Sequence, residues 1–399
     1  MPGPLSGMRV VEMGQLIAGP FAGKFFADFG AEVIKIEPPE GDPLRGWRKV
    51  HDGTSLWWHV QNRHKKSVVL NLRTDAGRAA ARRLIAGADV LIENFRAGAL
   101  EKWGLGHEVL SADNPGLVML RLSGFGQDGP IRDQTGFGSV GESMGGMRYV
   151  TGFPDRPPVR PNLSLGDALA ALHGVIGTMM ALHHRNANGG RAAGKGQVVD
   201  VALYEAVFNM MEGALPEYDM FGAIREREGT TLTGIVPSNT YPTRDGQYIV
   251  IGGNGDSIFK RLMVLIGRED LANDPSLADN AGRVKRAAEL DEAIGAWTRQ
   301  HDVDDVVKAL NSAQVPNGKI YTMADVLRDP QYLARQMVRE ISLKDGARLK
   351  VPGVIPKLVS TPGIEPARGP ELGEHTETVL AELGLTERER QALKGQAAS

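Results

Sequence analysis

Two short apolar runs, separated by a segment of helix length, set the fold class of this chain. Arg9 to Met13 (RVVEM) and Ala31 to Glu37 (AEVIKIE) are rich in β-branched residues and read as strands. Between them, AGPFAGKFFADFG carries Phe21, Phe25, Phe26 and Phe29 at helical spacing, behind a turn of small residues. The unit recurs. GRAAARRLIAGA reads as a helix, Asp89 to Glu93 as a strand, and GLVMLRLSGFG, Gly116 to Gly126, as a strand that ends in glycines. Such alternation predicts an α/β domain around a parallel or mostly parallel sheet. Ligands of these sheets sit beyond the carboxyl ends of the strands, so the segments after Met13, Glu37, Glu93 and Leu122 form the expected rim.

A helix beginning near Leu165 follows, then GKGQVVDVALYEAV as strand and helix, and a charged, glycine-rich boundary from Gly222 to Gly234. The division expected is a large domain over 1–220, a small α+β domain over 221–329, and a return segment over 330–399. The small domain opens on YPTRDGQYIVIGG, where Asp245-Gly246 marks a hairpin, and continues with helices in DSIFKRLMVLIG, LDEAIGAWTRQ and DVDDVVKALNSAQVP. The extended VPGVIPKLV and one closing helix, ETVLAELGLTERERQAL, find no partner there and are expected to return to the first domain or to a second subunit.

Composition narrows the chemistry. The 399 residues contain no cysteine, which removes disulfides, thiolate metal ligands and a cysteine nucleophile, so any sulfur chemistry must use a ligand's sulfur. A net charge of -2, from 46 basic and 48 acidic residues, lacks the excess of a nucleic-acid binder. The N-terminal MPGPLSGMRVVEMG has no secretion-signal pattern, and no run of about 18 apolar residues is evident, so a cytoplasmic protein without a membrane partner is expected. No metal-ligand pattern occurs; His183-His184 reads as a helix C-terminal pair.

Several clusters are candidate sites. GQLIAGPFAG, Gly14 to Gly23, can present amides to a phosphate, although its spacing is not Gly-x-Gly-x-x-Gly. NRHKKS, Asn62 to Ser67, is either a solvated turn or a basic mouth, and Arg45, Arg48, Lys49, Arg96 and Lys102 add charge near other strand ends. Trp57, Trp58 and Trp103 suit base stacking or core packing. Asp167 is ambiguous. Ser164-Leu165-Gly166-Asp167 fits a capping box, while Gly166 removes bulk beside the acid and would admit a planar group.

Taken together, LSGMRVVEMGQLIAGPFAGKFFADFGAEVIKIEPPEGDPLR, NRHKKSVVLNL, ADVLIENFRAGALEKWGLG, LSGFGQDGP, SLGD before an apolar helix, GKGQVVDVALYEAV, VPNGKIYTMADVLRDPQ and LGEHTETVL resemble the class III CoA-transferases, over about Leu5 to Leu380. The resemblance implies a Rossmann-like large domain with a smaller α+β domain in an interlocked, ring-like homodimer. It implies acyl-CoA and carboxylic-acid substrates, with coenzyme A thioesters as substrates and no tightly bound cofactor. Asp167 is then the nucleophile, Leu16, Ile17 and Ala18 the coenzyme-contacting turn, and Asn94, Phe95, Arg96 and Lys102 the nucleotide side. Ile17 stands where formyl-CoA transferase has a glutamine, and LTGIVPS, Leu232 to Ser238, replaces its glycine run. Both departures point away from formyl and oxalate chemistry and toward succinyl-CoA with a second short dicarboxylic acid: itaconate, malate, citramalate, glutarate or a sulfinate analogue. Arg45, Arg48, Arg73 and Arg148 are candidates for its distal carboxylate. The racemases of the same fold need a histidine where Phe137 stands, and a non-catalytic coenzyme A binder would leave Gly166-Asp167 without a purpose.

Overall fold

The computed structural model describes residues 3–397. Six parallel strands form the main sheet: β1 (Arg9–Glu12), β2 (Glu32–Glu37), β3 (Lys65–Val69), β4 (Val90–Glu93), β5 (Val118–Ser123) and β6 (Gln197–Ala202). Their order is β3-β2-β1-β4-β5-β6, the doubly wound arrangement, with the reversal of direction between β1 and β4. Adjacent residues on each strand enter opposite cores. Val10, Val33, Val90 and Val118 face one side, and Val11, Ile34, Leu91 and Met119 the other. Burial on both faces explains why these strands are apolar runs rather than alternating patterns.

Helix α1 (Ala18–Asp28) covers the first face, and α2 (Asp75–Ala86), started by the Thr74 hydroxyl accepting from Gly77 N at 3.1 Å, covers the second. Beyond β5 come α3 (Gly138–Met144), α4 (Leu165–Ala187) and, after β6, α5 (Leu203–Phe208). By length and composition α4 meets the test for a membrane-crossing helix, contrary to the expectation that no such stretch exists. One face of it packs on the sheet: a Cβ on Gly174 would lie 2.8 Å from Leu120 and one on Gly177 2.9 Å from Val199, so glycine lets the helix lie directly on β5 and β6, while Ile176 and Met180 on its other face are exposed.

The chain divides into two compact units, one of residues 1–147, 161–212 and 331–399, the other of 148–160 and 213–330. The second holds an antiparallel sheet of β7 (Ser238–Pro242), β8 (Tyr248–Gly252) and β9 (Asn317–Lys319), in the order β9-β8-β7, with the turn at Gly246 in left-handed backbone. Helices α6 (Asp256–Leu265), α7 (Ala287–Thr298) and α8 (Val303–Ser312) contribute Leu262, Ile294 and Val306 to its core. Strand β9 carries no apolar run and has no sequence signal.

The return segment packs on the first unit of its own chain. After a short helical turn at Pro330–Ala334 it forms a hairpin, β10 (Val338–Ser342) and β11 (Arg348–Pro352), where only extended chain was expected. Trp58 Nε1 donates to Pro370 O at 2.9 Å, and Gly373 N to Ser67 Oγ at 2.8 Å. The single closing helix predicted from the sequence is two, α9 (Thr376–Glu382) and α10 (Glu387–Ala397), because Gly384 takes a left-handed backbone and breaks it.

Candidate active site

The first site element is the turn from β1 into α1. Gly14 and Gly19 pass so closely that a Cβ on either would lie 2.9 Å from the other's Cα. Two of its amides are engaged internally rather than presented to a phosphate. Gln15 N donates to Asn94 Oδ1 at 2.8 Å, and Leu16 N donates to both Asp42 carboxylate oxygens at 3.1 and 3.2 Å. Asn94 Nδ2 returns a bond to Gln15 O at 2.9 Å, so Asn94 splints the turn, and Gln61 Nε2 grips Ile17 O at 3.0 Å.

Beneath this turn lies a buried ionic network. Lys35, fully buried, pairs with Glu12 and Asp42 at 2.9 Å each, and Lys65 pairs with Glu12 at 2.7 Å. Burial is the largest single influence on both charges of the Lys35–Asp42 pair and opposes each, but it is outweighed by the sum of its opponents: Asp42, Glu12 and Glu37 together hold the ammonium above its ordinary range, and Lys35 with the Leu44 and Leu16 amides holds the carboxyl below its own. Burial wins at Lys65, with help from Lys35, and pushes its ammonium down to about 8 against Glu12. The same network corrects NRHKKS, which is neither a solvated turn nor a basic mouth. Arg63 is buried in a two-pronged pair with Asp28 at 2.6 and 2.7 Å, Lys65 is buried, and Lys66 pairs with Glu32 at 2.5 Å. Charges on a strand read as solvent-facing; here each finds a buried or half-buried carboxylate.

A cavity of about 640 Å³ opens at the carboxyl ends of β1 to β4, beside the switch point. Gln15, Pro38, Glu40, Asn71, Arg73, Phe95 and Trp103 are among its lining residues, and the lining cation is Arg73. Phe95 and Trp103 meet edge-to-face, 5.2 Å between centroids. Of the residues expected on the nucleotide side, Phe95 reaches this cavity and Asn94 adjoins it through Gln15, whereas Arg96 and Lys102 are exposed and outside its lining. Glu93, below Phe95, accepts from Phe95 N and Arg121 Nε at 2.7 Å each; burial pushes its carboxyl up to about 7 despite the arginine. Trp58 is not a stacking platform. It is completely buried under Arg45, whose guanidinium lies 3.6 Å from its ring centroid and donates two 2.8 Å bonds to Glu37, which removes Arg45 as a free carboxylate binder. Arg48 lies over Trp57, and Arg148 belongs to the second unit.

Asp167 occupies the first turn of α4. The capping box does not form: Ser164 holds the N-cap position without a side-chain capping bond. Glu142 of α3, fully buried, accepts from Gly166 N at 3.3 Å instead. Gly166 also differs from its expected role. A Cβ there would lie 2.6 Å from Gly138 O, so its missing side chain lets α4 pack on α3 rather than admitting a ligand. Space for the Asp167 carboxylate comes from Gly138, where a Cβ would overlap Oδ2. Phe137, next to it, is well exposed, and an apolar ring therefore stands at the position where the resemblance leads one to expect a racemase's histidine. Helices α1 and α4 pack side by side, with Ala18 and Ala22 in one cluster with Ala170 and Ala171, which sets the Leu16–Ala18 turn on the same face as Asp167. Asp42, Lys35, Gly138 and Glu142 carry no local sequence signal, because each acts through a partner brought close only by the fold.

The LTGIVPS segment lies in the second unit, along a cavity of about 370 Å³ lined by Thr231, Thr233, Ser238 and Asp291. Among the described residues, no group of three or more His, Asp or Glu side chains is arranged to hold a metal.

Known proteins share this architecture. A solved CAIB/BAIF family protein from Brucella suis superposes with a TM-score of 0.83 at 35% identity, covering 96% of this chain and 100% of its own. The sequence is 49% identical to succinyl-CoA–D-citramalate CoA-transferase of Chloroflexus aurantiacus, over 97% of this chain and 96% of that one. It is 36% identical to succinate–glutarate CoA-transferase of Agrobacterium fabrum, over 96% and 97%. The profile of CoA-transferase family III matches residues 5–376, and with a six-stranded parallel sheet and an aspartate at the head of its longest helix, this chain is a member of that family and a class III CoA-transferase.

Proposed function

We propose that this enzyme moves coenzyme A from succinyl-CoA to a second short dicarboxylic acid, citramalate first among candidates that include malate, glutarate, itaconate and a sulfinate analogue. The carrying observation is the Asp167 carboxylate in the first turn of α4, seated against Gly138, with a phenylalanine rather than a proton-transfer base at position 137. A carboxylate is nucleophilic without a general base. Asp167 attacks the thioester carbonyl, forming a mixed anhydride and expelling the coenzyme thiolate. The thiolate attacks the aspartyl carbonyl, releasing succinate with one Asp167 oxygen and leaving an aspartyl thioester. The acceptor carboxylate then displaces the thiolate, and the thiolate takes the acceptor acyl group from the second anhydride, restoring Asp167 with an oxygen from the acceptor. Each intermediate is an activated acyl group, so the sequence is nearly balanced in energy and asks the protein for alignment and exclusion of water.

In this reading Leu16, Ile17 and Ala18 contact the coenzyme and Asn94 braces that turn. Phe95, Trp103 and Arg73 form its nucleotide end, with Arg96 and Lys102 on the approach. Coenzyme A enters and leaves as substrate, no tightly bound cofactor takes part, and the chain works as an interlocked homodimer. The names of the two relatives support the donor and the acceptor class. An acceptor screen at fixed succinyl-CoA tests the proposal: a new thioester should appear with parallel ping-pong lines. Exchange of the α-proton of a branched acyl-CoA in deuterated water, with no acceptor acid, would support racemisation instead.

A further inference from the structure

The turn between β1 and α1 holds a backbone its sequence does not favour. Leu16 has φ 62, in the left-handed region where a side chain is strained and glycine is not. Glycines stand two residues before it and three after, but both are used for the close crossing of Gly14 and Gly19. The strained residue is therefore a leucine, and something outside the turn must hold it.

That support is a buried ion pair. Asp42 accepts from Leu16 N, while Lys35 donates to Gly14 O at 2.7 Å, so the pair grips an amide and a carbonyl two residues apart in the same turn. The partners join at 2.9 Å and neither side chain has any exposure. Asp42 is itself fixed, accepting from Leu44 N at 2.9 Å as its own amide donates to Glu37 Oε2 at 3.0 Å. A buried pair is an inefficient source of stability compared with apolar packing of the same volume, whereas a fixed geometry is something it supplies well.

We propose that Lys35 and Asp42 are positioning residues for coenzyme A recognition, holding Leu16 in left-handed backbone so that the Leu16–Ala18 turn is preformed before the coenzyme arrives. The proposal rests on the reading of that turn as the coenzyme contact. Neither side chain touches the ligand; without the pair the turn relaxes and affinity falls by the fraction of molecules still in the competent form.

The test is a double-mutant cycle read as the dissociation constant of free coenzyme A, measured calorimetrically for wild type, Asp42→Asn, Leu16→Gly and the combination. Asp42→Asn should weaken binding at least about tenfold in the Leu16 background. In the Leu16→Gly background, where positive φ needs no support, it should change binding by less than about threefold. Equal losses in both backgrounds, or unchanged binding in Asp42→Asn, would overturn the proposal. If circular dichroism shows Asp42→Asn unfolded, the charge-neutral Lys35→Met/Asp42→Asn, which leaves Glu12 paired with Lys65, is measured with and without Leu16→Gly under the same criteria. A folded wild type that binds no coenzyme A overturns the assignment of the turn itself; retained wild-type binding with no dependence on Asp42 overturns only the role of the pair.

Discussion

The carboxylate of Asp167 rests on the Cα of Gly138, closely enough that a methyl group at that position would overlap Oδ2. Two segments far apart in sequence thus fit as a carboxylate and its seat. The fit depends on a second absence, at Gly166, which brings the start of α4 down onto Gly138 O.

If Asp167 is the proposed nucleophile, Gly138→Ala should displace its carboxylate without touching the cavity at the ends of β1 to β4. The expected result is a fall in kcat of about a hundredfold, the order produced by an ångström of misplacement, with the KM for the thioester changed little. Steady-state kinetics with succinyl-CoA and a working acceptor separate the two parameters.

Gly23 serves the ionic network under the turn as Gly138 serves Asp167. A Cβ on Gly23 would overlap Glu12 Oε2 and lie 3.3 Å from Lys65 Nζ. Gly23→Ala should cost about 1–3 kcal/mol of stability as an overpacked core substitution, visible as a lower Tm, even though alanine is the better helix former.

Arg73 is the cation lining the cavity at the ends of β1 to β4. If the cavity holds the nucleotide end as proposed, Arg73→Ser should raise the KM for the thioester about tenfold and flatten its dependence on salt, since an exposed cation attracts phosphate through a screened field. The turnover number at saturation should hold.

Arg368 donates to both oxygens of Glu374 at 2.8 Å, and Glu371 N adds a third bond, which together hold the Glu374 carboxyl at about 2 against an ordinary 4.5. A depressed carboxyl pKa contributes stability that is present above 4.5 and lost as pH falls through 2. Glu374→Gln should flatten the urea midpoint across that window and lower it at neutral pH. The pair is largely exposed, so the difference is at most about 1 kcal/mol.

The sheet was legible because strands buried on both faces carry unbroken apolar stretches, as Val10-Val11 and Val90-Leu91-Ile92 do. Other features lacked a local signal. Lys35 and Lys65 sit inside strands but pair across them with Glu12, a relationship set by register rather than by neighbours in sequence. The segment 148–160 joins the second compact unit through contacts such as Tyr149 Oη donating to Glu226 at 2.6 Å, far along the chain. At the site, Asp167 was legible as a choice between cap and nucleophile. The capping bond that the choice turned on is absent, and the glycine that matters for its carboxylate is Gly138, visible only once α3 and α4 are packed. Arg73 read as one of four candidates for the acceptor's distal carboxylate, a role nothing in the fold tests; the fold puts Arg45 on Glu37 and Arg73 in the cavity beside Phe95 and Trp103.

The central claim, that Asp167 carries the acyl group, is tested most directly by following oxygen. Turnover with succinyl-CoA and an acceptor acid whose carboxylates carry heavy oxygen should place that isotope in the peptide containing Asp167, detected by mass spectrometry after digestion. Asp167→Ala, folded by circular dichroism, should show neither label nor product. Sustained turnover with no label in that peptide, or full activity in Asp167→Ala, would contradict the account.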